Sequence, residues 1–234
     1  MSGRELCIVT GASRGIGKEI AVRLADEGYD IMLFGRDIEA LKQTQSLVKE
    51  KGVKAEYFLG DVGDEIFVNT SVESILEKYG RVDVLINNAG LGIFKNVIDA
   101  SLNDFKKQVN ANLYGIFNFS RAVLNNMIER KSGTIINISS LAGKNVFAGG
   151  SMYSATKHAV RGFTGCLLQE VRKYNIKVAA ICPGSVETEF HSSGSPVSPN
   201  KLMPEDVAET VMLIIKLPQR ALASEIDLRP TNPK

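Results

Sequence analysis

Tyr153 and Lys157 stand four residues apart in a helical pattern, which puts them on one face, a turn apart. A free tyrosine ionises near pH 10, so it works as an acid or base at neutrality only if its pKa falls. An ammonium about 4 Å away contributes roughly 4 kcal/mol at an effective dielectric near 20, worth up to about three pKa units. The pair therefore predicts a tyrosine whose pKa is lowered by its lysine. Tyr-x-x-x-Lys alone is more often a surface pair. Here, however, Ser140 ends the apolar run that precedes the helix, and a hydroxyl there can donate to a carbonyl oxygen.

A second group of residues has anion chemistry. The chain reads Thr10-Gly11-Ala12-Ser13-Arg14-Gly15-Ile16-Gly17 between its first apolar run and its first helical pattern. Glycines allow a tight turn and close backbone approach, and the free N–H groups of a helix start attract a pyrophosphate. The spacing G-x-x-x-G-x-G differs from the commoner G-x-G-x-x-G, and a strand-to-helix turn without a ligand is the alternative. The second apolar run ends Phe34-Gly35-Arg36. An acid at this point bonds ribose hydroxyls in NAD-specific folds, whereas an arginine accommodates a 2′-phosphate. Gly35 takes the acid's place, and Arg36 and Arg14 supply two guanidiniums. Asp37 either neutralises Arg36 or caps the next helix.

These residues must be positioned by the elements between them. Leu6–Val9, Asp30–Phe34, Val53–Phe58, Val82–Ile86, Thr134–Ile138, Lys177–Ile181 and Glu225–Leu228 read as strands. Helical patterns separate them, including a long one from about Ser101 to Lys131 and another from Met152 to Tyr174. Apolar strands without alternation are buried on both faces, and strict strand–helix alternation implies a parallel sheet. The expectation is an α/β fold: one Rossmann-type doubly wound domain over residues 1–234, about seven mainly parallel strands, helices on both faces. In such a sheet ligands bind at the carboxyl ends of strands. Gly11–Gly17, Asn87-Asn88-Ala89-Gly90, Ser140 and Pro183-Gly184 all fall there. The Ser/Pro/Gly-rich stretch within 189–203 reads as a substrate loop, with Phe190 its one aromatic, so a small or open site is expected.

Composition narrows the function classes. Across 234 residues the net charge is +2, with 44% hydrophobic and 23% charged residues, an ordinary globular balance with no footprint for nucleic acid. The longest apolar runs, such as Val178–Cys182, have five residues, too few for a membrane span. Cys7, Cys166 and Cys182 form no C-x-x-C pair and read as small buried hydrophobes in a reducing compartment. His158 and His191 fit no ligand cluster, so no metal is expected. A cytoplasmic protein is expected.

Taken together, Thr-Gly-x-x-x-Gly-x-Gly, Asn-Asn-Ala-Gly, Ser140, Tyr-x-x-x-Lys and Pro-Gly resemble, in order and spacing, the short-chain dehydrogenase/reductase family from about Leu6 to Thr188. The resemblance implies an NADP(H)-dependent oxidoreductase that interconverts a carbonyl and an alcohol on a small molecule. It implies a tetrad of Asn112, Ser140, Tyr153 and Lys157. Tyr153 exchanges the proton, Lys157 binds the nicotinamide ribose, Ser140 orients the carbonyl and Asn112 holds a water; Asn110 is the weaker candidate for that place. Gly11, Ser13, Arg14, Gly15, Ile16, Gly17 and Arg36 would hold the phosphates. Asp61 and Val62 would meet the adenine, and Asn88, Ala89 and Gly90 the adenosine side. Pro183, Gly184, Val186 and Thr188 would line the nicotinamide, with Thr188 on the carboxamide. Ser13, Arg14 and Arg36 resemble the NADP-preferring subset. The resemblance also implies a homotetramer or homodimer, with Phe117, Phe119, Phe163 and Leu167 as candidate contacts. Relatives that reduce 3-oxoacyl thioesters usually end in a glycine-rich segment, and this chain departs from that. A catalytically idle NADP(H)-binding sensor or scaffold is the alternative. A methyltransferase shares the glycine-rich turn but gives no reason for Tyr153 and Lys157.

Overall fold

The protein is described from a computed structural model covering residues 3–188 and 201–232. Most of the expected substrate loop at 189–203, including Phe190 and His191, therefore lies outside the described residues. Seven strands form one sheet: β1 (Leu6–Thr10), β2 (Asp30–Gly35), β3 (Ala55–Leu59), β4 (Val84–Asn87), β5 (Gly133–Ile138), β6 (Ile176–Pro183) and β7 (Glu225–Leu228). Their order is β3-β2-β1-β4-β5-β6-β7, and every pairing is parallel. Strand order reverses between β1 and β4, so a crevice opens at their carboxyl ends.

Successive side chains point to opposite faces of the sheet, and apolar residues at both parities give two cores. Cys7, Val9, Ile31 and Leu33 pack on one face beneath α1 (Gly15–Asp26), α2 (Ile38–Glu50) and α7 (Pro204–Lys216). Leu6, Ile8, Met32 and Phe34 pack on the other beneath α3 (Glu65–Tyr79), α5 (Gly115–Arg130) and α6 (Ser151–Val171). Among the described residues no helix is long and apolar enough to cross a membrane.

The long helical pattern from Ser101 is not one regular helix. α4 (Leu102–Val109) passes into a π-helical turn, Asn110–Tyr114, before α5 resumes. Such wide turns recur at functional sites. Here the turn sends Asn110 to the Asp61 carboxylate (3.2 Å) and Asn112 to Leu91 and Thr156. Periodicity could not reveal it, since the hydrophobic stripe continues on both sides.

Two expectations about burial are corrected. Phe119 and Leu167 are buried in the chain's own core, whereas Phe117 is exposed and meets the half-buried Phe163 edge-on at 6.5 Å. Cys7 and Cys182 are buried, but Cys166 is exposed on α6.

Candidate active site

The carboxyl ends of β1 and β4 are tied by one threonine and one asparagine. Thr10 Oγ1 accepts from the N–H groups of Asn88 and Ala89, both at 3.0 Å, and the Asn88 amide donates to the Thr10 and Gly11 carbonyls. Gly17 belongs to this clasp. A Cβ there would lie 2.2 Å from the Gly11 oxygen and 2.4 Å from Asn88 Nδ2, so no other residue fits. Gly15 takes a φ of +54° as α1 begins, a conformation glycine adopts without strain.

The start of α1 has no side-chain cap and no acid in its first turn. By contrast α2, α3 and α4 are capped by Asp37, Asp64 and Ser101. The first N–H groups of α1 thus have no side-chain acceptor from a cap and face the crevice open to a ligand or to water. Asp37 spends its carboxylate on Ala40 N–H, while Arg36, largely exposed, lies 3.8 Å from Asp61. A Cβ on Gly35 would come within 2.3 Å of Ser13 Oγ, so any larger residue there would have to displace the Ser13 hydroxyl.

At the other end, Ser139–Gly143 is welded to α6. Ser139 Oγ donates to the Lys157 carbonyl (3.1 Å), and Gly143 packs so closely that a Cβ would lie 2.7 Å from that oxygen. Arg161 binds the Gly143 carbonyl and Glu225, and Lys144 pairs with Glu225 and Asp227. These ties hold Ser140 against Tyr153. Ser140 Oγ accepts from Ala142 N–H at 3.1 Å, and its hydroxyl bonds the Tyr153 side chain, favouring the phenolate.

The electrostatics differ from expectation. Burial pushes Tyr153 up to about 12, and the Ser140 bond only partly opposes this. Lys157 does not pair with the phenol oxygen. Its ammonium donates to the Ile138 carbonyl at 2.9 Å and stands 5.7 Å from the Tyr153 ring centre. Burial pulls Lys157 down to about 8, so the lysine stays mostly charged at neutrality.

One continuous cavity of about 1120 Å³ joins the two ends. That exceeds the range of roughly 300–1,000 Å³ usual for a single small ligand. Every candidate residue lines it except Gly17 and Asn112. Asn112 is fully buried, and its amide bonds Leu91 N–H, the Leu91 carbonyl and Thr156 Oγ1. Thr156 in turn donates to the Tyr153 carbonyl. This side chain therefore positions the Tyr153 helix and the segment after β4 rather than presenting its amide to a water in the cavity. Asn110, the weaker candidate, also lies off the cavity.

Sequence reasoning missed Phe94, Phe147 and Asn145, which line the cavity. Phe94 and Phe147 bring aromatic rings to the cavity from outside the loop that carries Phe190. It also missed Gln108, fully buried, whose amide brackets Ile93. No spacing marks these residues; chain segments far apart in sequence bring them together. His158 bonds the Ser154 carbonyl one turn back. Among the described residues no three His, Cys, Asp or Glu side chains gather as a metal-ligand set.

Comparison with known proteins agrees with this architecture. The family model described as short chain dehydrogenase matches residues 5–196. An uncharacterized oxidoreductase of Staphylococcus aureus (strain USA300) is 33% identical over 226 residues, 97% of each chain. An alcohol dehydrogenase from the archaeon Thermococcus sibiricus, solved with 5-hydroxy-NADP, superposes with a TM-score of 0.91 at 31% identity, covering 98% of this chain and 97% of its own. An actinorhodin polyketide ketoreductase variant solved with NADPH gives 0.88 at 34% identity, covering 99% and 98%. A short chain dehydrogenase from Mycobacterium paratuberculosis, bound to NAD, gives 0.90 at 27% identity, covering 97% and 96%. With the sheet, the switch-point clasp and the matched span in agreement, this chain belongs to the short-chain dehydrogenase family of oxidoreductases.

Proposed function

We propose that the protein is an NADPH-dependent reductase that converts a carbonyl to an alcohol, reversibly, with Tyr153 as the proton donor. The observation that carries this reading is the convergence at one cavity end of Ser140, Tyr153 and Lys157, with the uncapped α1 start at the other. The site chemistry fits a nicotinamide dinucleotide. The α1 N–H groups suit its pyrophosphate. Arg14 and Arg36, beside Gly35 where an acid would otherwise stand, suit a 2′-phosphate. An ammonium has three hydrogens; Lys157 lines the cavity and gives one to Ile138, which leaves donors for ribose hydroxyls. The neighbours solved with NADP, NADPH and NAD share a nicotinamide cofactor, which supports the class.

Bound NADPH would supply the hydride equivalent to the carbonyl carbon. The chain does the rest. Ser140 donates to the carbonyl oxygen and fixes its place. Tyr153, held protonated by burial, delivers its proton to that oxygen as negative charge grows there. Once the product oxygen is protonated, the single Ser140 O–H turns to donate to the phenolate left behind, which faces the Lys157 charge across its ring. Asn112, through Thr156, holds the helix that aims Tyr153. Phe117 and Phe163 are candidate contacts of a homo-oligomer.

The test is a set of ketones and aldehydes incubated with NADPH and assayed for absorbance loss matched by alcohol formed. Turnover of at least one is expected. NADPH binding with no turnover of any would overturn the reading in favour of an idle binder.

A further inference from the structure

We infer that the substrate end of the cavity takes an uncharged carbonyl compound bearing an aromatic ring, which packs against Phe94 and Phe147. This rests on the carbonyl-reductase reading above and names the substrate class for it.

Three aromatic rings form one wall. Phe94 meets Tyr153 edge-on, with ring centres 5.3 Å apart and planes at 70°. Phe147 lies 6.0 Å beyond Phe94, tilted by 45°. Phe94 and Phe147 both line the cavity, yet they are 39% and 49% exposed. Among the described residues, neither belongs to the two cores of the sheet. Aromatic rings prefer offset or edge-to-face partners 4.5–7 Å away, and this wall continues from the ring that would hold the reacting oxygen.

The wall is also fixed in place. Two buried carboxamides, Gln108 and Asn112, each give and accept hydrogen bonds with alternate residues of the segment before Phe94. The Phe147 ring lies flat on Gly150, where a Cβ would come within 2.5 Å of it. Lys95 N–H donates to the Gly149 carbonyl at 2.9 Å and joins the two loops. A rigid surface loses little entropy when a rigid ring docks on it.

Charge sets the remaining limit. Arg14, Arg36, Asp37 and Asp61 line the far end of the cavity, around the carboxyl ends of β1 to β3. Near the wall, Lys95 is paired with Asp104, and Lys144 with Glu225 and Asp227. Among the described residues, Lys157 is the one charged side chain lining this end. A carboxylate or phosphate placed against Phe147 would lose part of its hydration and, among the described residues lining this end, meet no unpaired cation but Lys157.

The test compares 4-phenylbutan-2-one with 4-cyclohexylbutan-2-one, which share an unconjugated methyl ketone and differ only in the ring. The proposal predicts a kcat/KM roughly 2- to 12-fold higher for the phenyl compound. That ratio should fall to about one in Phe147→Leu, whose melting temperature is checked against the parent. The anion 5-oxohexanoate should be reduced at least about ten-fold less efficiently than hexan-2-one. Binding of the phenyl ketone to the NADP+-loaded protein is measured separately by calorimetry. Equal efficiencies for the two rings, a preference that survives Phe147→Leu, or efficient reduction of the anion would overturn the assignment and leave the reductase reading intact. If neither ketone is consumed, calorimetry decides. Phe147-dependent binding keeps the aromatic site and sinks the reductase reading, whereas no binding overturns the inference itself.

Discussion

Lys157 donates its ammonium to the main-chain carbonyl of Ile138 at 2.9 Å, on the last residue of β5. The charge is thereby held beneath the Tyr153 ring, at the end of the strand that leads to Ser140. Burial depresses its pKa to about 8, and the consequence for stability has a definite sign. Between about pH 8 and 10.4 the unfolded chain binds the proton more than the folded one, so stability rises with pH across that window. Tyr153, raised to about 12, acts oppositely but only above pH 10. Denaturant unfolding of the cofactor-free protein should therefore show it gaining about 2–3 kcal/mol relative to Lys157→Met between pH 7 and 10. Parallel pH profiles would mean that the ammonium is not desolvated.

Arg36 should set the cofactor preference. Its charge lies beside Asp61 at rest, and Gly35 supplies no competing acid. Arg36→Ala should lower kcat/KM for NADPH by roughly 5- to 150-fold, the worth of one to three kcal/mol in a charged hydrogen bond, with little effect on NADH. Equal use of both cofactors by the unmodified protein contradicts this.

Gly17→Ala separates a structural glycine from an ordinary helical one. In an exposed helix the change would stabilise by up to about 1 kcal/mol. Here the added methyl meets the Gly11 carbonyl and the Asn88 amide, so the clasp must open. Melting curves should show a lower Tm and a smaller rise with saturating NADPH. For the parent that rise reflects about 2.7 kcal/mol at a hundred times Kd. A variant with both values unchanged would show that the clasp does not shape the site.

The exposed Phe117, packed on Phe163, is expected to lie at a contact between subunits. Light scattering should give a mass at least twice the 25.4 kDa of the chain, and Phe117→Asp should reduce it. A single 25.4 kDa species in the parent rules this out.

The parallel sheet and the two cavity ends were legible in the sequence because each rests on local spacing. Apolar runs mark the strands, Gly11, Gly15 and Gly17 mark the phosphate turn, and Tyr153 with Lys157 marks a helix face. What escaped depends on contacts across the fold. The π-helical turn at Asn110–Tyr114 leaves the hydrophobic stripe intact, so Asn112 read as a cavity residue when it grips Leu91. Phe94 and Phe147 sit in loops 53 residues apart, without a pattern to join them. The pKa of Tyr153 went the wrong way because helix spacing fixes a shared face but not the depth of burial, and desolvation outweighs a charge spent on Ile138.

Proton donation by Tyr153 is the central step of the proposed reaction. The decisive measurement is the single-turnover rate of NADPH oxidation by Tyr153→Phe on a ketone that the parent reduces, with cofactor Kd measured on the same preparation. The substitution keeps the ring against Phe94 and removes one oxygen. A rate lower by roughly 100- to 10,000-fold with Kd unchanged is predicted. A near-parental rate would show that the proton comes from elsewhere.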